Sequence, residues 1–335
     1  MSRCSVLIAN YNGVGMIADC IDSVLTQDCA FEVEIIVHDD ASTDGSADFI
    51  RRRYPQVVLL ESDANVGFCV SNNRMASAAR GEYLLLLNND ATLLPDALRT
   101  LHDKAVSLQT PAILGLPQYA ADSGVLIDIG SRLDPFLNPV PHVSTDDAEV
   151  GMVIGACLWL PATLWKTLGG FPAWFGSLAE DMYLCLLARL HGYPVIALSR
   201  SGFRHAVGAS LGGGKLLQGR LSTRVGRRAM SERNKSYVMV MTYPVGLLLT
   251  LLPLHLVLLL AEGMLLALIK RQPALLANIY WACCAALWRE RRRLWQQRRA
   301  VQSARRIGIR AFLAVFDACP HKLRMLLRYG VPEIR

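Results

Sequence analysis

The chain has 335 residues, 52% of them hydrophobic and 19% charged, with a net charge of +7. Ordinary soluble domains are about 25% charged, so this composition excludes a disordered or collagen-like chain and points toward a membrane partner. The charge is uneven: 15 basic and 3 acidic residues lie between Lys270 and Arg335, leaving 20 basic against 25 acidic in the body. A mildly acidic body with a strongly basic end argues against a nucleic-acid partner and fits an end lying on anionic membrane lipid.

The first third alternates strands and helices. Val6 to Ala9 is a short apolar strand, and Ile17, Cys20, Ile21, Val24 and Leu25 recur at helical spacing. Val33 to Val37 predicts a second strand, Ser46 to Arg53 a helix stopped by Pro55, and Val57 to Leu60 a third strand. A helix around Asn73 to Ala79, a strand over Tyr83 to Leu87 and a helix opening at Pro95 complete the run. Repeated βαβ units with strongly apolar strands imply an α/β fold with a mostly parallel, buried, Rossmann-like sheet.

The middle is less regular. Gly151 to Leu160 is strand-like, Glu180-Asp181 opens a helix, and Val195 to Leu198 is a strand leading to His205. Gly208 to Arg233 is rich in Gly and Arg and reads as a mobile loop that could close on an anionic ligand. Its Gly212-Gly213-Gly214-Lys215 run lacks the spacing of a Walker loop.

Pro244 to Ile269 is nearly all apolar and long enough to cross a bilayer core of about 20 residues. Pro273 to Trp288 is a second, shorter apolar stretch, and an Arg-rich tail follows. Ser5 to Ala9 is too short for a signal-peptide core. Body and basic tail are therefore both expected on the cytoplasmic side of the inner membrane, with an even number of spans or helices lying in the interface. The nine cysteines are odd in number and form no Cys-x-x-Cys pair, so reduced, packed thiols are expected rather than disulfides or a zinc site.

Parallel sheets bind ligands at the carboxyl edge of their strands. Ala9-Asn10-Tyr11-Asn12 follows the first strand, His38-Asp39-Asp40-Ala41-Ser42-Thr43-Asp44 the second, and Asn88-Asn89-Asp90 the fourth. Asn65-Val66-Gly67, Asn72-Asn73, Gly169-Gly170-Phe171, Glu180-Asp181 and His205 complete an ordered series. Each element alone is weak, and Asp39-Asp40 by itself is also an ordinary turn and helix start. Over about residues 4 to 240 the series resembles the family 2 glycosyltransferases of GT-A fold. Asp63-Ala64-Asn65-Val66-Gly67-Phe68 and Glu232-Arg233-Asn234 are similar to the bacterial rhamnosyltransferase-like branch.

The resemblance implies a metal-dependent, inverting transfer from a dTDP- or UDP-sugar to a lipid-linked or envelope glycan acceptor, in cell-surface polysaccharide synthesis. It places Ala9, Asn10, Tyr11, Asn12, Asp39, Asp40, Asn65, Gly67, Asn72, Asn73, Asn88, Asn89 and Arg233 at the donor. It assigns Asp90 and His205 to a Mg2+ or Mn2+ ion, although the family's usual Asp-x-Asp element reads Asn88-Asn89-Asp90 here. It makes Asp181 the catalytic base, with Glu180 orienting it or holding the acceptor. Both acids sit in a first helical turn, where the helix dipole is expected to keep Asp181 ionised at neutral pH. The implied domains are a catalytic body over 1–235 (a nucleotide-sugar half over 1–110 and an acceptor half over 111–235), hydrophobic membrane-associated helices over 236–290 and a basic tail over 291–335.

Two rivals fit less. Gly13-Val14-Gly15-Met16-Ile17-Ala18 matches a short NAD(P)-binding fingerprint, making a Rossmann oxidoreductase the first. Carboxylates at the ends of two strands would repel its pyrophosphate. A catalytically degenerate membrane scaffold is the second, supported only by Asn88 in place of an acid.

Overall fold

The computed structural model describes residues 4–206, 213–217, 220–331 and 333–334. It comprises two compact units, one of 1–131, 141–189 and 193–207, the other of 132–140, 190–192 and 208–335. The sequence reading divides the chain at 235 and 290, whereas these units divide it near 207.

The first unit is built on an eight-stranded sheet. Four parallel strands form one half: β1 (Cys4–Asn10), β2 (Val33–Asp39), β3 (Val58–Glu61) and β4 (Tyr83–Asn88), in spatial order β3-β2-β1-β4. Val6, Leu7 and Ile8 of β1 and Leu84 to Leu87 of β4 are buried, which explains their unbroken apolar runs: both sheet faces are covered. The other half departs from the parallel pattern. Cys157–Pro161 pairs antiparallel with β4, followed outward by Ile113–Gly115, Val195–Ala197 and Ala148–Glu149. Register carries Ala9 beside both His38 and Asn88, and Asn10 beside Asp39, so the polar residues after β1, β2 and β4 share one edge.

A small four-stranded sheet, in the order Ala91–Leu93, Phe203–His205, Gln118–Ala120 and Leu126–Asp128, sits just after that edge in the chain. His205 pairs with Ala91 on one side and Ala120 on the other. The helix expected around Asn73 runs over Phe68–Ala78, and the helix opened by the acidic pair runs over Glu180–Leu190. All nine cysteines are free, most of them buried.

The second unit is mostly helical. Val225–Thr242 is a helix, so Arg227, Arg228 and Arg233 are not on a loop. The strands Gly213–Leu217 and Arg220–Thr223 pair just before it, whereas Gly208 and Gly212 lie outside the described residues. The apolar stretch is one helix, Val245–Lys270, long and apolar enough to cross a membrane by length and composition. The basic end is folded rather than extended, with helices at Arg291–Ser303, Ile309–Leu313 and His321–Tyr329. Arg298 shows why: its Nη1 donates to the carbonyls of Val240 and Tyr243 at 2.7 and 2.6 Å, at the end of Val225–Thr242 where helical carbonyls lack partners.

Candidate active site

The site grows from the ends of β1, β2 and β4. Asn10 is buried and joins three of them: its Nδ2 donates to Asp39 Oδ2 at 2.8 Å and to Ser46 Oγ at 3.0 Å, and its Oδ1 accepts from Asn89 Nδ2 at 2.8 Å. Gly13 makes room for this joint, since a Cβ there would fall 2.2 Å from both Asn10 Oδ1 and Asn89 Nδ2. Asp39 also accepts the Ser42 N–H and hydroxyl, at 2.9 and 2.8 Å. Asn12, at φ 50°, donates its N–H to Ser42 Oγ and accepts from the Thr43 N–H. Between them the Tyr11 ring is 51% exposed, an open face on which a nucleobase can stack.

This arrangement removes the oxidoreductase reading. The Val14 N–H, which would face a pyrophosphate at the start of Ile17–Leu25, donates to Asp44 Oδ2 at 2.9 Å. The first glycine of the fingerprint serves the Asn10–Asn89 approach, and a carboxylate already occupies the anion position.

Asp40 works on the next loop. Its two oxygens accept the N–H groups of Val66 and Gly67 at 2.7 and 2.8 Å. Gly67 adopts φ +86°, and a Cβ there would meet the Gly176 carbonyl at 3.3 Å. Asn65 on this loop is exposed. Asn72 and Asn73 turn their amides to backbone. Asn72 Nδ2 donates to Phe68 O at 2.9 Å, and Asn73 holds Phe171 by both backbone groups, at 2.8 and 3.0 Å. Asn73 thereby clamps the Gly169-Gly170-Phe171 turn onto Phe68–Ala78. Cys69 N–H reaches Gly176 O at 3.0 Å in the same seam.

Glu180 and Asp181 follow directly. Leu178 and Ala179 both take positive φ, 71° and 65°, so two strained residues deliver the acidic pair. Asp181 Oδ2 accepts the Gly155 N–H at 3.0 Å and Oδ1 the Met182 N–H at 2.7 Å. Ala156, beside Gly155, accepts the Asn88 N–H at 3.1 Å, so Asp181 hangs next to the end of β4. Glu180 is buried and its Oε2 has no hydrogen-bond partner. The expectation from the helix dipole is corrected here. Burial pushes both carboxyls above their ordinary values, Glu180 farther because the Asp181 charge adds to it. The Gly155 and Met182 N–H groups oppose that rise at Asp181. Of the two, Glu180 is the more strongly raised, and Asp181 is the one whose charged form is held by backbone N–H groups.

Asp90 and His205 meet as the strand pairing requires. His205 Nε2 is 3.1 Å from Asp90 Oδ1, both side chains are buried, and this Asp90 oxygen receives no hydrogen bond. Asn88 Nδ2 lies 3.5 Å from the same ring nitrogen. Among the described residues there is no cluster of three His, Cys, Asp or Glu able to hold a metal. A hard dication bound through one or two protein ligands plus donor phosphates needs no third, and an orphaned buried carboxylate oxygen beside an imidazole fits that mode. Gln118 Nε2 contacts His205 Nδ1 at 2.9 Å. Turning that amide over presents Oε1 to an Nδ1 proton and frees the Nε2 lone pair for a metal. Gln118 escaped the sequence reading because it stands on a three-residue strand in the irregular middle, with no motif around it.

Arg233 lies in the second unit, on Val225–Thr242, where its Nε donates to Asn234 Oδ1 at 3.0 Å and its guanidinium stands 5.8 Å from the Tyr237 ring centroid.

A mostly parallel sheet with an antiparallel insertion beside β4, and an acidic and amide cluster at its carboxyl edge, is the GT-A class of α/β fold. Residues 5–157, a little under half of the chain, match the family described as Glycosyl transferase family 2. It is 28% identical over 169 residues to a poly(ribitol-phosphate) beta-glucosyltransferase of Bacillus spizizenii, covering 49% of this chain and 26% of that protein. Among solved structures, S. aureus TarS in complex with UDP aligns with a TM-score of 0.54 at 18% identity, over 90% of this chain and 88% of that one. A mannosyltransferase from Pyrobaculum calidifontis, in complex with GDP-Man and Mn2+, aligns with a TM-score of 0.51 at 20% identity, over 86% and 88%. These two likenesses establish the fold. The chain spans between about a quarter and a third of the length of the first curated relatives it matches, 26%, 31% and 28%.

Proposed function

We propose that this protein is an inverting glycosyltransferase that moves a sugar from a nucleotide-diphosphate donor to a lipid-linked or envelope glycan acceptor in cell-surface polysaccharide synthesis. A dTDP- or UDP-sugar is the donor class, and the enzyme works at the cytoplasmic face of the inner membrane. The observation that carries the reading is the pinning of Asp181 and of the Asp90–His205 pair to the same end of β4, one through Gly155 and Ala156, the other through Ala91.

In this reading Tyr11 stacks on the base, while the Asn10–Asp39 network and the loop held by Asp40 shape the nucleoside pocket. Asp90 and His205 would hold a divalent cation, Mg2+ or Mn2+, which supplies charge neutralisation for the diphosphate leaving group. Asp181 takes the proton from the acceptor hydroxyl as its oxygen bonds to the anomeric carbon. The bond from that carbon to the diphosphate oxygen breaks with its electron pair on the nucleotide, and entry opposite the leaving group inverts the centre. Protonated Glu180, beside Asp181, can donate to the acceptor and orient it.

The test is a thermal-shift screen of nucleotide sugars with and without Mn2+, since a ligand that binds only the folded state raises the melting temperature. A metal-enhanced shift with one nucleotide class, followed by transfer to a lipid-linked acceptor fraction with inverted product, supports the reading. No shift with any nucleotide sugar would return it to the scaffold alternative.

A further inference from the structure

We propose that the second unit binds an anionic bilayer as an in-plane, monotopic element, with Val245–Lys270 lying in the interface rather than crossing the membrane. The inference rests on the membrane association in the reading above and is independent of the catalytic assignments.

The partners of that helix set how it lies. At 26 residues it is about 39 Å long, ample for a crossing. Its inner stripe, however, is His255, Leu259, Gly263 and Leu266, all buried. His255 Nε2 is 2.9 Å from Ser236 Oγ, and Glu262 pairs with Arg228, both partners lying on Val225–Thr242. Glu262 also pairs with Lys322 at 2.9 Å, and Lys322 with Glu232 at 2.7 Å. Glu232 in turn meets Lys235 at 3.0 Å. The apolar helix is therefore fastened, over two turns of its length, along a helix that carries Arg227, Arg228, Glu232, Arg233 and Lys235. A crossing would draw this ion network into hydrocarbon, where charged groups are strongly disfavoured. Lying flat leaves the network in the protein and headgroup layer.

The outer face fits lipid. Leu249, Val257, Leu258, Met264, Leu265 and Leu268 are exposed, Leu268 at 75%. The following helical segments expose Trp281, Trp288 and Trp295, spaced seven apart, and tryptophan favours the bilayer interface. Arg291 stands 4.3 Å from the Trp288 ring centroid, and Arg289, Arg292 and Arg299 are exposed nearby in sequence. In His321–Tyr329, Leu323, Leu326 and Leu327 are exposed on one face, with Arg324 and Arg328 in the same helix. Apolar faces and interfacial tryptophans accompanied by arginines match an anionic phospholipid surface.

Two measurements test this on the full chain. Purified protein is sedimented with phosphatidylcholine vesicles with or without phosphatidylglycerol. Binding that requires phosphatidylglycerol, and falls about tenfold or more in Leu265→Asp/Leu268→Asp with an unchanged melting temperature, supports docking through this face. Equal binding of the double variant overturns it. So does a lipid-free dimer that the same variant converts to monomers, because a second copy would then cover the face. For topology, Gln272→Cys is introduced with Cys29, Cys284 and Cys319 changed to Ser. A membrane-impermeant maleimide should label it in inverted membrane vesicles and not in intact spheroplasts. Labelling in intact spheroplasts would mean that the helix crosses, and the in-plane arrangement would fall. Neither readout depends on sugar transfer.

Discussion

Asp181 Oδ2 accepts the backbone N–H of Gly155 at 3.0 Å, which ties the acidic helix to the residue that leads into the strand beside β4. The bond does two things. It positions a carboxylate at the edge where Asn88, Asn89 and Asp90 emerge, and it favours the charged form of that carboxylate against the burial around it.

Asp181→Asn should keep the Gly155 contact, because the amide oxygen still accepts, while losing the base. Transfer is expected to fall by on the order of 10²–10⁴-fold, with donor-induced thermal shift preserved. Parallel loss of donor binding would show that Asp181 serves the donor instead.

Glu180→Gln separates the two acids. Burial raises both carboxyls, so the acidic limb of the kcat/KM profile should lie above the usual carboxylate range of about 4. If the limb belongs to Asp181, the neutral amide at 180 should leave it in place, whereas a limb set by Glu180 should vanish. The stability consequence has a definite sign. A carboxyl raised in the folded state contributes stability fully at pH below its unfolded value, and that contribution disappears as pH rises through the folded value. Glu180→Gln should therefore stabilise the protein more at pH 8 than at pH 4, as thermal melts at the two values would register.

Asp40→Ala leaves the Val66 and Gly67 N–H groups without their acceptor. Each such loss costs on the order of 1–3 kcal/mol where the group stays buried, so the loop should open. Faster amide hydrogen exchange at 66–68 together with weaker nucleotide binding is the expected result. Unchanged exchange would show that the loop is held by other contacts.

Gln118→Leu removes, among the described residues, the hydrogen-bonding side chain at His205 Nδ1. Losing such a partner of a metal-ligating histidine typically costs about 10–100-fold in affinity. Titration of Mn2+ in the presence of nucleotide should show that weakening, as it should more severely for Asp90→Ala. Equal affinity in all three proteins would remove the metal from this corner of the site.

Gly13→Ala places a methyl 2.2 Å from the Asn10 and Asn89 amides, so that pair must part. Nucleotide affinity should fall while the sheet below, closed by Val6 to Ile8, stays folded by circular dichroism.

Much of the catalytic unit was legible in the chain. Continuous apolar runs at Val6–Ile8 and Leu84–Leu87 are what a strand covered on both faces requires, and polar clusters after them mark a carboxyl edge because side chains at strand ends meet solvent or ligand. The part of the series from Asp39 to Asp90 lies within the stretch that matches the family, and the cysteines read as reduced are all free. Tertiary structure alone decided which groups the acids meet. That Asp40 accepts the Val66 and Gly67 N–H groups, that Asn73 holds Phe171, and that burial raises Asp181 all depend on groups that are remote in sequence. The stretch before Arg233 read as a loop because its arginines mask a helix whose stability comes from buried partners on other helices. Local pattern records which surfaces must be hidden, but hydrogen bonds and charge pairs depend on which surfaces finally meet, and a single sequence does not carry those distances.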